Sequence, residues 1–176
     1  LNPMSRLKPP GDVGLFGTDQ LGRDVYSRVI NGGRISLVVG LTVAIFAVVF
    51  GTVMGLLAGY IRILDAIIMR VMDGLMAIPA ILLAIAMISL SGATLTTVIA
   101  AIVIPEIPRV VRLVRSVVLT VREEPYVESA ISVGTPVYLV MIRHVLPNTI
   151  APLIVQATYI CGSAMLTEAC LLYTSP

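Results

Sequence analysis

Three stretches of this 176-residue chain carry no charged side chain: Ile35 to Ile61, Gly74 to Pro105 and Val145 to Thr167, which are 27, 32 and 23 residues long. At 1.5 Å per residue even the shortest reaches roughly 35 Å as a helix, more than the roughly 30 Å hydrocarbon layer of a bilayer. The middle stretch is interrupted by Ser89, Ser91 and the run from Gly92 to Thr97, a small, polar, turn-prone patch with apolar residues on both sides. The pattern predicts an all-α, polytopic transmembrane bundle with four spans, near 35–59, 68–90, 95–114 and 147–168.

Ahead of the first span, Pro9, Pro10, Gly11, Gly14 and Gly17 make an irregular stretch. After it, Asp19 is positioned to cap a short surface helix running to about Ile30 and closing at Asn31, Gly32 and Gly33. In the first span Gly51, Gly55 and Gly59 recur every fourth residue, the spacing that lets a second helix approach closely. Past Ile107, Arg109, Arg112 and Arg115 share one helical face while Val110, Val111, Val114, Val117 and Val118 take the rest, so the third span is expected to project beyond the membrane. Glu123 and Glu124 before Pro125 favour a new helix start. That helix runs from Tyr126 through Val133, and Gly134 supplies the left-handed residue that ends it. Thr135 and Pro136 begin a second helix, through Tyr138, Arg143 and His144 to Leu146 and Pro147, where the last span starts. Two helices joined by a glycine turn between two spans make a compact knob suited to docking.

Composition supports the membrane reading. The chain is 57% hydrophobic and 12% charged, with a mean hydropathy of +1.00, against roughly 25% charged for a soluble domain. Eleven arginines and Lys8 are spread along the chain and leave a net charge of +2, which is not the clustered footprint of a nucleic-acid partner. Cys161 and Cys170 have neither metal spacing nor a second pair. There is no Gly-x-x-x-x-Gly-Lys-Ser/Thr phosphate loop, so ATP hydrolysis is expected to reside in another chain. One histidine without a nucleophile-activating group makes an intramembrane enzyme the weaker class. No catalytic, cofactor or metal residue is expected. A channel or secondary transporter would share the spans but leave the knob without a use.

Charge also orients the chain. Arg109, Arg112, Arg115, Arg122 and Arg143 concentrate positive charge between two spans, which puts that loop in the cytoplasm. Alternation then places the turn near Ser91 outside, the Arg62 to Arg70 loop inside, and residues 1–34 outside, although those first residues also carry a net +2. Glu106, between Pro105 and Pro108, either lines a path or pairs with Arg109 one turn on; the nearby arginines set it off the bilayer centre and favour the pair. Asp65 and Asp73 read as loop and interface charges, with Arg70 and Asp73 spaced for an i,i+3 pair.

The knob has a further property. Glu128-Ser129-Ala130, then Gly134, then His144-Val145-Leu146-Pro147 resembles the Glu-Ala-Ala loop of ABC importer permeases, and Arg143 to Asn148 is similar to its variant in permeases for dipeptides, oligopeptides and nickel. Phe16-Gly17-Thr18-Asp19-Gln20-Leu21-Gly22-Arg23-Asp24, with Ser27-Arg28 and Gly33 to Leu37, resembles the segment before the second span in the C-type subunit of that subfamily. Ala58-Gly59-Tyr60, Met69 to Asp73, Ala77-Ile78-Pro79 and Ala151 to Ala157 continue the likeness, which covers about residue 7 to Ala169. Ser129 stands where the common pattern has alanine.

The resemblance implies a type I importer permease core at 35–169 in a bacterial inner or plasma membrane. It implies an extracytoplasmic segment at 1–34 and a cytoplasmic coupling loop near 115–146. Glu128, Ser129, Ala130, Gly134, His144, Leu146 and Pro147 would dock an ATPase, and Gly17, Thr18, Asp19, Leu21, Gly22, Arg23 and Asp24 would form the extracytoplasmic motif. The implied partners are a companion permease subunit, two cytoplasmic ABC ATPase subunits, an extracytoplasmic solute-binding protein and membrane lipid, with peptides or a similar small solute, nickel included, as cargo. The likeness also implies helices before Leu1 and after Glu168, so the chain is expected to be a fragment. Cys170 to Pro176 departs from the pattern and is expected to be a non-native tail, since its codons can match library adapter DNA.

Overall fold

The computed structural model describes residues 6–11, 15–92 and 94–174, with side chains to residue 171. Gly14 and the tail residues Ser175 and Pro176 lie outside the described residues. The elements are α1 (Val25–Tyr60), α2 (Arg62–Ala77), α3 (Ala80–Ser91), α4 (Leu95–Arg122), α5 (Pro125–Ser132), α6 (Val137–Val140), a π-helical turn (Met141–Val145) and α7 (Leu146–Thr174). The fold is all-α. Two compact units are present, Leu1–Val39 and Gly40–Pro176.

In the first unit the short surface helix expected from Asp19 to Ile30 is absent as a separate element. Asp24, not Asp19, caps the helix: its carboxylate accepts the N–H groups of Tyr26 and Ser27, each at 3.3 Å, and the Ser27 hydroxyl at 2.8 Å. The helix also does not close at Asn31-Gly32-Gly33 but continues as α1. Asn31 turns its amide back onto the Ser27 carbonyl at 2.9 Å, so it reinforces the helix rather than ending it. Neither glycine takes a positive φ.

In the second unit α4 is the central helix, packed on α2, α3, α5 and α7. Val110, Val111, Val114 and Val118 are completely buried. The glycine stripe of α1 explains part of this burial. A Cβ on Gly51 would lie 2.5 Å from Val110 Cβ, one on Gly55 2.7 Å from Val114 Cβ, and one on Gly59 2.6 Å from Val118 Cβ. The two sets share a four-residue period, so each valine seats where a glycine has removed a side chain. This stripe is a packing surface.

The second expected span is a pair of helices. α2 and α3 meet at an angle of 85°, because Pro79 has no N–H to continue α2 and forces Ile78 into extended backbone (φ −92°, ψ 126°). α1 and the run Val137–Leu171 are long and apolar enough to cross a membrane, and the bent pair qualifies if counted as one span. α4 is long enough at 28 residues, but Glu106, Arg109 and Arg112 fall within its first 18, so its charges keep it out of that class. Exposed apolar side chains such as Leu41, Phe46, Val49 and Val53 on α1 and Ile154, Val155 and Leu166 on α7 suit a lipid or subunit environment.

The second helix of the knob differs from expectation too. It is not a separate element: α6 lasts four residues, widens into the π turn and runs directly into α7. Pro147 is the cause. Its ring and missing N–H disrupt the ordinary bond to residue 143, and Leu146 N–H instead reaches five residues back to the Met141 carbonyl.

Candidate functional site

The knob starts from α4. Glu123 and Glu124 turn the chain, Pro125 opens α5, and Val127, completely buried, anchors the helix. Gly134 has φ +88° and closes α5 with two bonds: Gly134 N–H to the Ile131 carbonyl at 2.9 Å and Thr135 N–H to the Ala130 carbonyl at 3.1 Å. This is the Schellman arrangement, in which a left-handed residue lets the chain fold back onto the last turn. A Cβ at Gly134 would meet nothing within 4 Å, so the demand for glycine is purely one of backbone conformation.

The expected docking residues divide between two places. Glu128 and Ser129 are exposed and Ala130 half-buried; the Ser129 hydroxyl donates to the Pro125 carbonyl at 2.7 Å, leaving Glu128 as the projecting charge of α5. His144 and Leu146 are half-buried and Pro147 exposed at the π turn and the start of α7. The link between the two is Tyr126, absent from the expected set. Its hydroxyl accepts from Asn148 Nδ2 at 3.1 Å, its ring lies 5.9 Å from that of His144, and Asn148 also donates to the His144 carbonyl at 2.6 Å. The tyrosine and asparagine lie 22 residues apart, a separation to which no helical period points. Val133, Val137, Tyr138 and Ile142 of the knob are also exposed.

Beneath the knob, α4 is fastened to α2. Arg112 Nη2 donates to Asp73 at 2.6 Å, and Arg115 grips both oxygens of Asp65, through Nη2 at 2.7 Å and through Nε. The Arg70 to Asp73 pair expected from spacing is thus replaced by a bond between helices. Local spacing overlooked this because α2 runs antiparallel to α4, so a long-range arginine outcompetes the neighbour on the same helix. Arg109 does bind Glu106, at 2.9 and 3.1 Å, as its spacing suggested. Arg122 sits 5.6 Å from the centre of the Tyr60 ring, close enough for a cation–π contact. Four arginines of α4 are therefore engaged within the protein.

The residues of the other motif build a turn in the first unit. Asp19 Oδ1 accepts the N–H groups of Leu21 and Arg23 at 2.8 and 2.9 Å, and Oδ2 accepts Arg28 Nη1 at 2.6 Å. The Arg23 N–H bond above all, with those of Leu21 and Arg28, holds the Asp19 carboxyl below the usual carboxylate range. Gly17 and Gly22 take φ of +72° and +71°, Thr18 and Asp24 bridge in antiparallel fashion, and Leu21 and Arg23 are exposed at the tip. All seven residues of the motif belong to one turn. Among the described residues no group of His, Cys, Asp or Glu is arranged to hold a metal.

A family model described as binding-protein-dependent transport system inner membrane component matches residues 47–175. Similar proteins include a probable peptide ABC transporter permease protein of Sinorhizobium fredii, 55% identical over 96% of this chain and 58% of its own length. A dipeptide transport system permease protein of Alkalihalophilus pseudofirmus is 43% identical over 97% of this chain and 56% of its own. A glutathione transport system permease protein of Pectobacterium atrosepticum is 39% identical over 92% and 54%. The chain thus spans little more than half the length of these relatives.

Proposed function

Because the chain belongs to the family of binding-protein-dependent transport system inner membrane components, we propose that it is part of the membrane-spanning subunit of an ATP-driven importer for peptides or related small solutes. The names of its relatives support the cargo class: one is a peptide, one a dipeptide and one a glutathione permease. The companion permease, two cytoplasmic ATPases and an external solute-binding protein complete the assembly, and the chain supplies no ATPase site of its own. Residues 1–34 lie outside, residues 35–169 form the core, and the loop near 115–146 faces the ATPase.

The observation that carries this reading is the capped α5. A helix closed by Gly134, anchored by Val127 and clamped to the π turn by Tyr126 and Asn148 is a rigid projection that offers Glu128 and apolar side chains to another protein. Arg112 and Arg115 couple the same helix, α4, to α2. Force applied at α5 therefore reaches α2 and, through the Pro79 bend, α3. Closure of the ATPases would shift these helices between two packings and so switch access from one side of the membrane to the other.

The test is co-purification of the ATPase with the complete permease, with membrane insertion measured in parallel. Gly134→Val adds about 1 to 2 kcal/mol of backbone strain and should weaken ATPase recovery several-fold; Glu128→Arg should do the same without altering insertion. Ser129→Ala should be tolerated, since it removes one exposed bond within α5. Full ATPase recovery and uptake in Gly134→Val and Glu128→Arg would remove the docking role.

A further inference from the structure

Under the 85° bend between α2 and α3 lies a cavity of 120 Å³, lined by Met76, Ile78, Pro79 and Ala80 on one side and by Pro105 and Arg109 of α4 on the other. Arg109 brings the only charge to this lining. Its Nη1 is committed to both oxygens of buried Glu106, whereas among the described residues Nε and Nη2 have no hydrogen-bond partner. Those two nitrogens form the edge of a guanidinium that matches a carboxylate with two parallel bonds. The Arg109 side chain is 41% exposed against 7% for Glu106, so the arginine is open to a solute where the acid is not.

Position gives this edge a meaning. Arg109 lies roughly 21 Å along α4 from Leu95, inside the thickness of a bilayer. Charged side chains at such depth turn to the protein interior or to a water-filled path rather than to hydrocarbon. Across the cavity, Pro79 and Ala80 begin α3, whose first intrahelical bond runs from Leu83 N–H to the Pro79 carbonyl; the N–H groups before it add positive potential on the same side. The volume is far below the ~300 Å³ of a pocket that encloses a whole ligand. It admits one functional group.

We propose that the Nε–Nη2 edge of Arg109 is a carboxylate-recognition point on the solute path, taking the C-terminal carboxylate of a peptide-like solute in transit. This rests on the transport reading above. Glu106 makes the grip weak, because the guanidinium already shares its charge with one carboxylate, and a weak grip allows release. The residue then contributes selectivity for free acids over amides that is independent of the external binding protein.

The experiment compares uptake of Ala-Ala and its C-terminal amide by the complete transporter in vesicles, with wild type, Arg109→Gln and Arg109→Lys sharing one binding protein. Wild type should favour the free acid; Arg109→Gln should lower that preference about tenfold by slowing the acid while leaving the amide near its original rate. Arg109→Lys, which keeps the charge but loses the fork, should fall between and stands in if Arg109→Gln does not assemble. Equal slowing of both probes, or an unchanged preference in the variants, overturns the proposal and leaves the pair with Glu106 as a structural one. Uptake of neither probe by wild type overturns the peptide-transport reading and this proposal with it.

Discussion

Two seams of α4 are built on opposite principles. Against α1, three valines fill the places of three glycines, with no ion pair involved. Against α2, two arginines bind two aspartates, with Asp73 and Arg112 roughly half exposed and Asp65 and Arg115 less so. A seam made of shape tolerates no added atom and responds little to salt. A seam made of exposed ion pairs is worth little per pair and can break and re-form. The first is suited to a fixed scaffold; the second to a joint that can shift.

The largest effect is expected where an atom is forced into the first seam. Gly55→Val places side-chain atoms within van der Waals distance of Val114 and of the Val111 carbonyl, and should cost about 1 to 3 kcal/mol, read as reduced resistance to unfolding in detergent. A cycle of Gly55→Ala and Val114→Ala sharpens the assignment: shrinking the valine should recover part of what the added methyl loses, by about 0.5 kcal/mol or more. Strict additivity would mean that the glycine stripe does not set the approach of the two helices.

A smaller effect is expected at the second seam. Asp65→Asn removes the better shielded pair and should cost about 1 kcal/mol at low salt, and Asp73→Asn less. Both losses should shrink at high ionic strength, unlike that of Gly55→Val. Exchanging the charges, Asp65→Arg with Arg115→Asp, should restore much of the contact. A salt-independent loss equal to that of Gly55→Val would erase the distinction between the seams.

The smallest effect belongs to Asp19, the ionic centre of the turn in the first unit. Its carboxyl is held below the usual range, so the ionised form favours the folded turn. That contribution is complete above the unfolded carboxylate value of about 3.9 and disappears as pH falls through the lower folded value. Nuclear magnetic resonance titration of the Asp19 carboxyl should give a midpoint below 3.9; one at or above it would show that the bonds from Arg23, Leu21 and Arg28 bring no preference for the charged form.

Much of the architecture was legible as pattern. Charge-free length marked the apolar helices, a serine-rich patch marked the turn before α4, and Gly134 marked the end of α5, because each depends on residues close in sequence. The Gly51, Gly55 and Gly59 stripe announced a close helix approach, but the identity of the partner required the fold: other valines at the same spacing, such as Val117 and Val121 or Val133 and Val137, do not seat on it. The same limit governed the charges. Glu106 and Arg109 lie one turn apart, so their bond followed from spacing alone, whereas Asp65 and Asp73 chose arginines 50 and 39 residues away over Arg70 nearby. The sequence by itself determined which segments are helical and apolar, since period and composition act locally. Only the tertiary structure decided that Pro79 bends a span by 85°, that α6 and α7 merge through a π turn, and which charge meets which, because those outcomes depend on helices that approach one another across the membrane.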